Sequence, residues 1–279
     1  MYVPDNDGDR GNLVWCDDEG HAHILMAQEV FALCVKATLE YHREKGTQNL
    51  AIAVNGPTSM RTDEIARKCG AEVFRSEVGE ANAVSLGDSL RKKGYNVPIL
   101  GEGSNGGNIT YPARVRDPMN TLMCLVRLVC KGKTLSEEIA GLPVYTTTNA
   151  FSPEAILHLQ TKDYPALKAV YERNFENQWQ QHIDELKAYG ITRYLEFRTD
   201  GIVERQESGH CTSGGLKMSF YDSANRCIAY IWMRPSGTEP LFRICADVRG
   251  DNRKLHDMLI NWQREMILNA EKELLLQNR

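Results

Sequence analysis

The chain has 279 residues, 42% of them hydrophobic and 25% charged, with a formal net charge of −4. That balance fits an ordinary globular protein with room for two domains. It excludes a general nucleic-acid binder, whose footprint is basic, and no apolar run is long enough to span a membrane. The cysteines at 16, 34, 69, 124, 130, 211, 227 and 245 contain no Cys-x-x-Cys pair. They predict reduced thiols in a cytosolic protein rather than a disulfide frame or a zinc site. Met1-Tyr2-Val3-Pro4-Asp5 lacks the basic and apolar regions of a signal peptide, so a cytoplasmic location is expected.

Tyr2-Val3 reads as a strand stub that runs into Asp5-Asn6-Asp7-Gly8-Asp9-Arg10-Gly11. Carboxylates at alternate positions of a tight loop can converge on one hard cation. An EF-hand opens in the same way, but it needs Gly at loop position six and a bidentate acid at position twelve. Arg10 and Cys16 stand there instead. An acidic surface turn is the bland alternative. A magnesium loop fits better, with Arg10 directed at an anionic substrate beside it.

Leu13 to Cys16 and His23 to Met26 read as short strands around a turn at Asp17-Asp18-Glu19-Gly20. His21 and His23 alternate, but no third metal ligand accompanies them. Gln28 to Lys45 predicts an amphipathic helix with Val30, Leu33, Cys34, Ala37 and Tyr41 on one face. Strands at Leu50 to Val54, Ala71 to Phe74 and Val97 to Leu100 then alternate with helices at Thr62 to Cys69 and Ala83 to Lys93. This alternation predicts a layered α/β domain with a mixed, largely parallel sheet. Loops near Asn55, Val78 and Gly101 would gather at the carboxyl edge of that sheet, where such folds bind ligands.

Gly101-Glu102-Gly103-Ser104-Asn105-Gly106-Gly107 matches Gly-x-Gly-x-x-Gly mechanically. A dinucleotide site needs a helix to open directly at the end of that motif. Here the next helix starts only after Asp117, with Pro118 at its first position. Glu102 and Ser104 in a glycine-rich loop suit hydrogen bonds to adjacent sugar hydroxyls instead. Met119 to Cys130 predicts an apolar helix, and 135–141 a short helix with its stop.

Residues near Thr146 to Asn149 read as a linker. A helix follows from Asp163 to Gly190, with Leu167, Val170, Tyr171, Phe175, Trp179, Ile183 and Leu186 as its apolar stripe. Strands are predicted at Tyr194 to Arg198, Thr199 to Ile202, Gly215 to Tyr221, Ile228 to Met233 and Phe242 to Asp247. A long helix from about Asn252 closes the chain, so a small antiparallel sheet backed by helices is expected. The polar stretch Glu204 to Ser213, with His210-Cys211, reads as a loop.

Between two of those strands lies Arg234-Pro235-Ser236-Gly237-Thr238-Glu239-Pro240. Arg234 offers a flat fork of donors that keeps its charge. Ser236 and Thr238 add hydroxyls, Gly237 lets an anion approach the backbone, and the prolines stiffen the turn. A plain turn is the alternative; the residue set favours a phosphate loop.

The three loops, in this order, resemble the α-D-phosphohexomutase superfamily of phosphoglucomutases, phosphomannomutases and phosphoglucosamine mutases, over essentially the whole chain. The resemblance implies the carboxyl-terminal half of such an enzyme. Residues 1–11 would be the remnant of a preceding domain with the metal loop, 12–145 the sugar-recognition domain, 146–190 a helical linker, and 191–279 the phosphate-binding domain. It implies Mg²⁺ at Asp5, Asp7 and Asp9, Arg10 beside the reacting group, and sugar hydroxyls on Glu102 and Ser104. It also implies the non-reacting phosphate on Arg234, Ser236, Gly237 and Thr238. The family interconverts hexose 1-phosphate and hexose 6-phosphate through an enzyme phosphoserine and a bisphosphate intermediate.

Three departures stand out. No Ser-His dipeptide, the family's phosphoserine signature, occurs in this chain. Absent amino-terminal domains are therefore the expected partner, and the chain alone is expected to be inactive. Asn105 stands where many relatives have Gly. In the loop Val78 to Asn82, only Glu80 titrates, where some relatives carry Lys or His. A stand-alone, non-catalytic sugar-phosphate binding module is the rival expectation.

Overall fold

The computed structural model describes residues 1–199, 201–207, 214–237 and 241–277. The chain forms two units, Met1–Val144 with Gly201–Val203, and Tyr145–Asp200 with Glu204–Arg279. No helix among the described residues is long and apolar enough to cross a membrane.

The first unit opens with an antiparallel meander of β1 (Tyr2–Pro4), β2 (Gly11–Cys16) and β3 (Ala22–Ile24). The helix α1 (Ala27–Glu44) follows. Tyr41, expected on the buried stripe, is exposed, and the helix instead buries Phe31, Ala32, Val35 and Leu39 together with Val30, Leu33, Cys34 and Ala37. The reason is its central position, against α2, α4 and the sheet at once. Then come β4 (Leu50–Asn55), α2 (Arg61–Lys68), β5 (Glu72–Ser76), α3 (Glu80–Lys92), β6 (Asn96–Glu102) and β7 (Gly107–Thr110). Their sheet has the order β5-β4-β6-β7. The first three strands are parallel, and β7 returns antiparallel along β6, pairing Leu100 with Ile109 and Glu102 with Gly107.

All of β4 is buried, as a central parallel strand covered on both faces must be. Ile52 and Val54 join the α1 side of the core, whereas Ala51 and Ala53 face Ala83, Leu86 and Leu90 of α3. Small residues on the α3 side permit close packing. A Cβ on Gly87 of α3 would come within 2.6 Å of Leu100. The helix α4 (Pro118–Val129) starts where expected, with the Asp117 side chain accepting from the Met119 N–H. The short α5 (Leu135–Ala140) is held by a Thr134–Glu137 capping box.

In the second unit, β8 (Tyr145–Thr147), β9 (Ile156–Leu157) and α6 (Tyr164–Ala188) precede β10 (Arg193–Thr199), β11 (Glu204–Gln206), β12 (Gly215–Tyr221), β13 (Cys227–Pro235), β14 (Phe242–Arg249) and α7 (Arg253–Gln277). The strands are antiparallel in the order β11-β10-β12-β13-β14-β8, and β9 also pairs with β14. One sheet face presents Leu216, Met218, Phe220, Ile231, Met233, Ile244 and Ala246 to the two long helices. Phe175 of α6 sits 5.4 Å from the ring of Trp262 of α7, and Trp179 stacks on Phe220 at 6.1 Å. The fold class is thus a layered α/β unit with a mixed sheet, followed by an antiparallel sheet backed by helices.

Two expectations need correction. Residues 146–190 do not form a separate linker. Part of this stretch pairs with β14 as β8 and β9. The aromatic stripe of α6 is a wall of the second core, because so many large apolar side chains need a sheet to cover them. Nor do Gly201 and Ile202, expected to continue a strand from Thr199, lie in one: Thr199 is the last residue of β10. Asp200 lies outside the described residues, and Gly201, at φ 83, turns the chain. The partner strand is β11, within a stretch expected to be loop, and it pairs Glu204 with Thr199. His210-Cys211 lies outside the described residues.

This core carries a stability prediction. Phe175→Ala removes a fully buried ring and should cost about 3–5 kcal/mol. Leu276→Ala, at a side chain 70% exposed, should stay within about 0.5 kcal/mol. Urea unfolding followed by circular dichroism compares the two, and equal losses would contradict this packing.

Candidate functional site

The loop between β1 and β2 is closed by its own backbone. The Asp5 N–H donates to the Arg10 carbonyl at 2.9 Å and the Gly8 N–H to the Asp5 carbonyl at 3.1 Å. Gly8 supplies the left-handed residue, at φ 74. Gly11 follows because a Cβ there would lie 2.4 Å from the Val3 carbonyl oxygen. This folding brings one carboxylate oxygen each from Asp5, Asp7 and Asp9 within 4.8 Å of one another. An all-carboxylate set suits a hard cation such as Mg²⁺.

Arg10 steadies the loop from inside. Its Nε donates to Asp5 Oδ2 at 2.8 Å and to Asp9 Oδ1 at 3.1 Å, and its backbone N–H donates to Asp5 Oδ1 at 3.1 Å. Burial pushes the Asp5 carboxyl up, but these hydrogen bonds outweigh it and hold Asp5 below the usual carboxylate range. Asp5 therefore stays ionised, as a cation ligand must.

Glu102 lies at the carboxyl end of β6 and is 3% exposed. Its Oε1 accepts from Asn55 Nδ2 at 3.1 Å and from the Gly79 N–H at 2.8 Å. Its Oε2 accepts from Asn105 Nδ2 at 3.0 Å and from Arg116 Nη1 at 3.4 Å. Asn55 is the last residue of β4, the parallel neighbour of β6, so both polar groups emerge at the same sheet edge. Asn55 also donates to Ser104 Oγ at 3.3 Å and accepts from Thr58 Oγ1 at 2.6 Å. Thr58 in turn accepts from the Gly103 N–H at 3.0 Å. A Cβ on Gly101 would fall 2.2 Å from the Gly107 carbonyl oxygen, and one on Gly103 would fall 2.5 Å from Gln28 Oε1. These glycines are needed for the loop to lie flat on its neighbours.

The two loops meet at Arg116. Its Nη2 lies 2.6 Å from Asp9 Oδ2, its Nε 2.8 Å from Glu80 Oε2, and its Nη1 3.4 Å from Glu102 Oε2. The Nε contact is an ion pair without hydrogen-bond alignment. Of the expected residues of the first unit, the structure thus brings Asp5, Asp7, Asp9 and Arg10 together and links them through Arg116 to Glu102. Ser104 sits next to Glu102 through Asn55. Glu80, the titratable group of its loop, stands at the first position of α3 and is engaged by Arg116.

The sequence places the loop near Asn55 at the ligand-binding edge without giving Asn55 itself a role, and it does not single out Arg116. A polar residue ending the apolar run Leu50 to Val54 was the signal for the first. A basic residue directly before the Asp117-Pro118 helix start was the signal for the second.

In the second unit, Arg234 and Pro235 end β13, with Arg234 opposite Arg243. The Ser236 N–H donates to the Leu241 carbonyl at 2.8 Å, which narrows the loop. A Cβ on Gly237 would lie 3.7 Å from Arg234 Nη2, so the guanidinium reaches back over Gly237. Thr238, with Glu239 and Pro240, lies outside the described residues.

A further prediction concerns Glu102. Glu102→Gln would set an amide N–H₂ against donors that now point at a carboxylate. The loss should be about 1–3 kcal/mol in the first unit, read from its chemical denaturation; an unchanged midpoint would contradict the hydrogen-bonding described.

Residues 27–145 match the family model for phosphoglucomutase/phosphomannomutase, alpha/beta/alpha domain III. A probable phosphoglucosamine mutase of Methanopyrus kandleri is 26% identical over 266 residues, 94% of this chain and 47% of that protein. A phosphoglucomutase/phosphomannomutase of Thermococcus kodakarensis is 25% identical over 250 residues, 88% of this chain and 43% of that protein. The fold is shared with the crystal structure of a phosphoglucomutase/phosphomannomutase family protein from Burkholderia thailandensis. That match has a TM-score of 0.59 at 16% identity and covers 97% of this chain and 46% of the other. The open form of the phosphoglucomutase parafusin from Paramecium matches with a TM-score of 0.60 at 16% identity, covering 97% of this chain and 44% of the other. The chain spans about half the length of the curated relatives it matches.

Proposed function

For this chain, which belongs to the α-D-phosphohexomutase superfamily, we propose the metal-, sugar- and phosphate-binding share of a hexose-phosphate mutase. Such an enzyme interconverts the 1- and 6-phosphates of a hexose through a phosphoserine and a bisphosphate. The observation that carries the reading lies within the first unit. The carboxylates of Asp5, Asp7 and Asp9 converge, and one of them, Asp9, shares the guanidinium of Arg116 with the buried Glu102.

Phosphoryl transfer asks chiefly for positioning and charge neutralisation. Asp5, Asp7 and Asp9 would hold Mg²⁺, which supplies positive charge against the phosphoryl oxygens. Arg10, tied to two of those carboxylates, adds a fixed cation beside the reacting group. Glu102 and Ser104 would accept and donate hydrogen bonds to adjacent sugar hydroxyls, their orientation set by Asn55. Arg234, Ser236, Gly237 and Thr238 would hold the phosphate that does not react. A 12–145 sugar-recognition segment and a carboxyl-terminal phosphate-binding segment are the corresponding division of labour. No Ser-His dipeptide occurs in this chain, so the phosphoryl-carrying step is not assigned to it.

Two measurements test the reading. The 279-residue chain should bind glucose 1-phosphate or mannose 1-phosphate in calorimetry yet show no turnover by itself; turnover would overturn the division of labour. Arg234→Ala should weaken that binding by about tenfold to a hundredfold, the worth of one charge-assisted hydrogen bond. Unaltered affinity would remove Arg234 from the phosphate contacts.

A further inference from the structure

The first unit carries a cation of its own between the metal loop and the sugar loop. Arg116 precedes α4, and its side chain is 19% exposed. Its stem lies on bare backbone: a Cβ on Gly107 would come within 2.4 Å of Arg116 Cδ. From there each guanidinium nitrogen meets a different carboxylate: Nη2 meets Asp9, Nε meets Glu80 and Nη1 meets Glu102. These partners come from the β1–β2 loop, the start of α3 and the end of β6. A planar fork of permanent charge spans three directions, which a lysine ammonium cannot do.

Two of the three partners are groups that ligands would claim. Asp9 belongs to the converging carboxylates, and Glu102 to the sugar loop. Glu80 belongs to neither and serves as an anchor.

We propose that Arg116 is an internal competitor of the metal and the element that couples the two loops. It neutralises Asp9 until a divalent cation takes that carboxylate. The guanidinium, still anchored on Glu80, is then released toward an anionic group of the substrate held at Glu102. Metal and sugar phosphate therefore help each other bind, each removing one partner that the arginine would otherwise keep. The proposal rests on the metal and sugar roles given above for Asp9 and Glu102.

Titration calorimetry of Mg²⁺ into the 279-residue chain tests this, with thermal melts as the control for folding. Arg116→Met should bind Mg²⁺ about tenfold more tightly than the unsubstituted chain, because a unit charge beside Asp9 is gone. Arg116→Lys should fall between the two. Glu80→Gln should act in the opposite direction and weaken Mg²⁺ binding a few-fold, because the guanidinium loses its anchor and leans on Asp9 and Glu102. Glucose 1-phosphate should tighten Mg²⁺ binding in the unsubstituted chain and lose that effect in Arg116→Met. If Arg116→Met does not fold, the lysine and Glu80→Gln variants decide the matter by their opposite signs. Mg²⁺ binding that is indifferent to Arg116, or weakened by its loss in a folded variant, overturns the competition but leaves the metal site standing. Absence of Mg²⁺ binding by every variant overturns the metal site and the competition together.

Discussion

The carboxylate of Glu102 is almost removed from water, and much of the first unit is arranged to make that tolerable. A buried charge survives only if it is fully hydrogen-bonded or paired. Four donors from Asn55, Gly79, Asn105 and Arg116 meet it. They are drawn from separate stretches of chain, so the site cannot form before the sheet does. The parallel pairing of β4 and β6 sets Asn55 beside Glu102, the start of α3 brings Gly79, and the turn into β7 brings Asn105. A single negative charge thus links sheet register, helix placement and loop conformation.

The same charge organises its neighbourhood electrostatically. Glu102, Glu80 and the Asp5 loop concentrate carboxylates in a small region, and such a cluster would repel itself if left alone. Arg10 and Arg116 divide the work of neutralising it. Arg10 acts locally, within its own loop, on Asp5 and Asp9. Arg116 acts at long sequence range. Fixed positive charge between acidic loops is a frequent basis for handling phosphate groups in water-poor sites, because the groups are oriented before the ligand arrives. Neither arginine is spare: Arg10 is held by two carboxylates of its own loop, and the stem of Arg116 packs on the bare backbone of Gly107.

Much of this was legible in the chain itself. Period-two and period-3.6 patterns gave the layered unit and the antiparallel sheet, because each element buries one face and leaves a residue-level trace. The Asp5 loop and the Glu102 loop were legible because their chemistry is local, with all the needed residue types within a few positions. The roles of Asn55 and Arg116 were not, since they depend on partners some fifty and a hundred residues away, and parallel strand order accounts only for the first of these pairs. The strand β7 was hidden for a related reason. It follows a glycine-rich turn and is short, so it has too few residues to show alternation. The strands β8 and β9 look like linker because edge pairing on β14 asks little of their side chains, whereas the apolar stripe of α6 is itself the mark of a packed face.

Gly107 gives the arrangement an unusual sensitivity. The residue is uncharged, makes no contact with any of the carboxylates through a side chain, and sits in a strand where alanine is ordinarily tolerated. Yet a single methyl group there would occupy the space of the Arg116 stem and tilt the guanidinium off its three anchors. A purely steric change would then surface as an electrostatic one. In a survey of natural variants, such a substitution would look conservative on paper and behave like the loss of a charge.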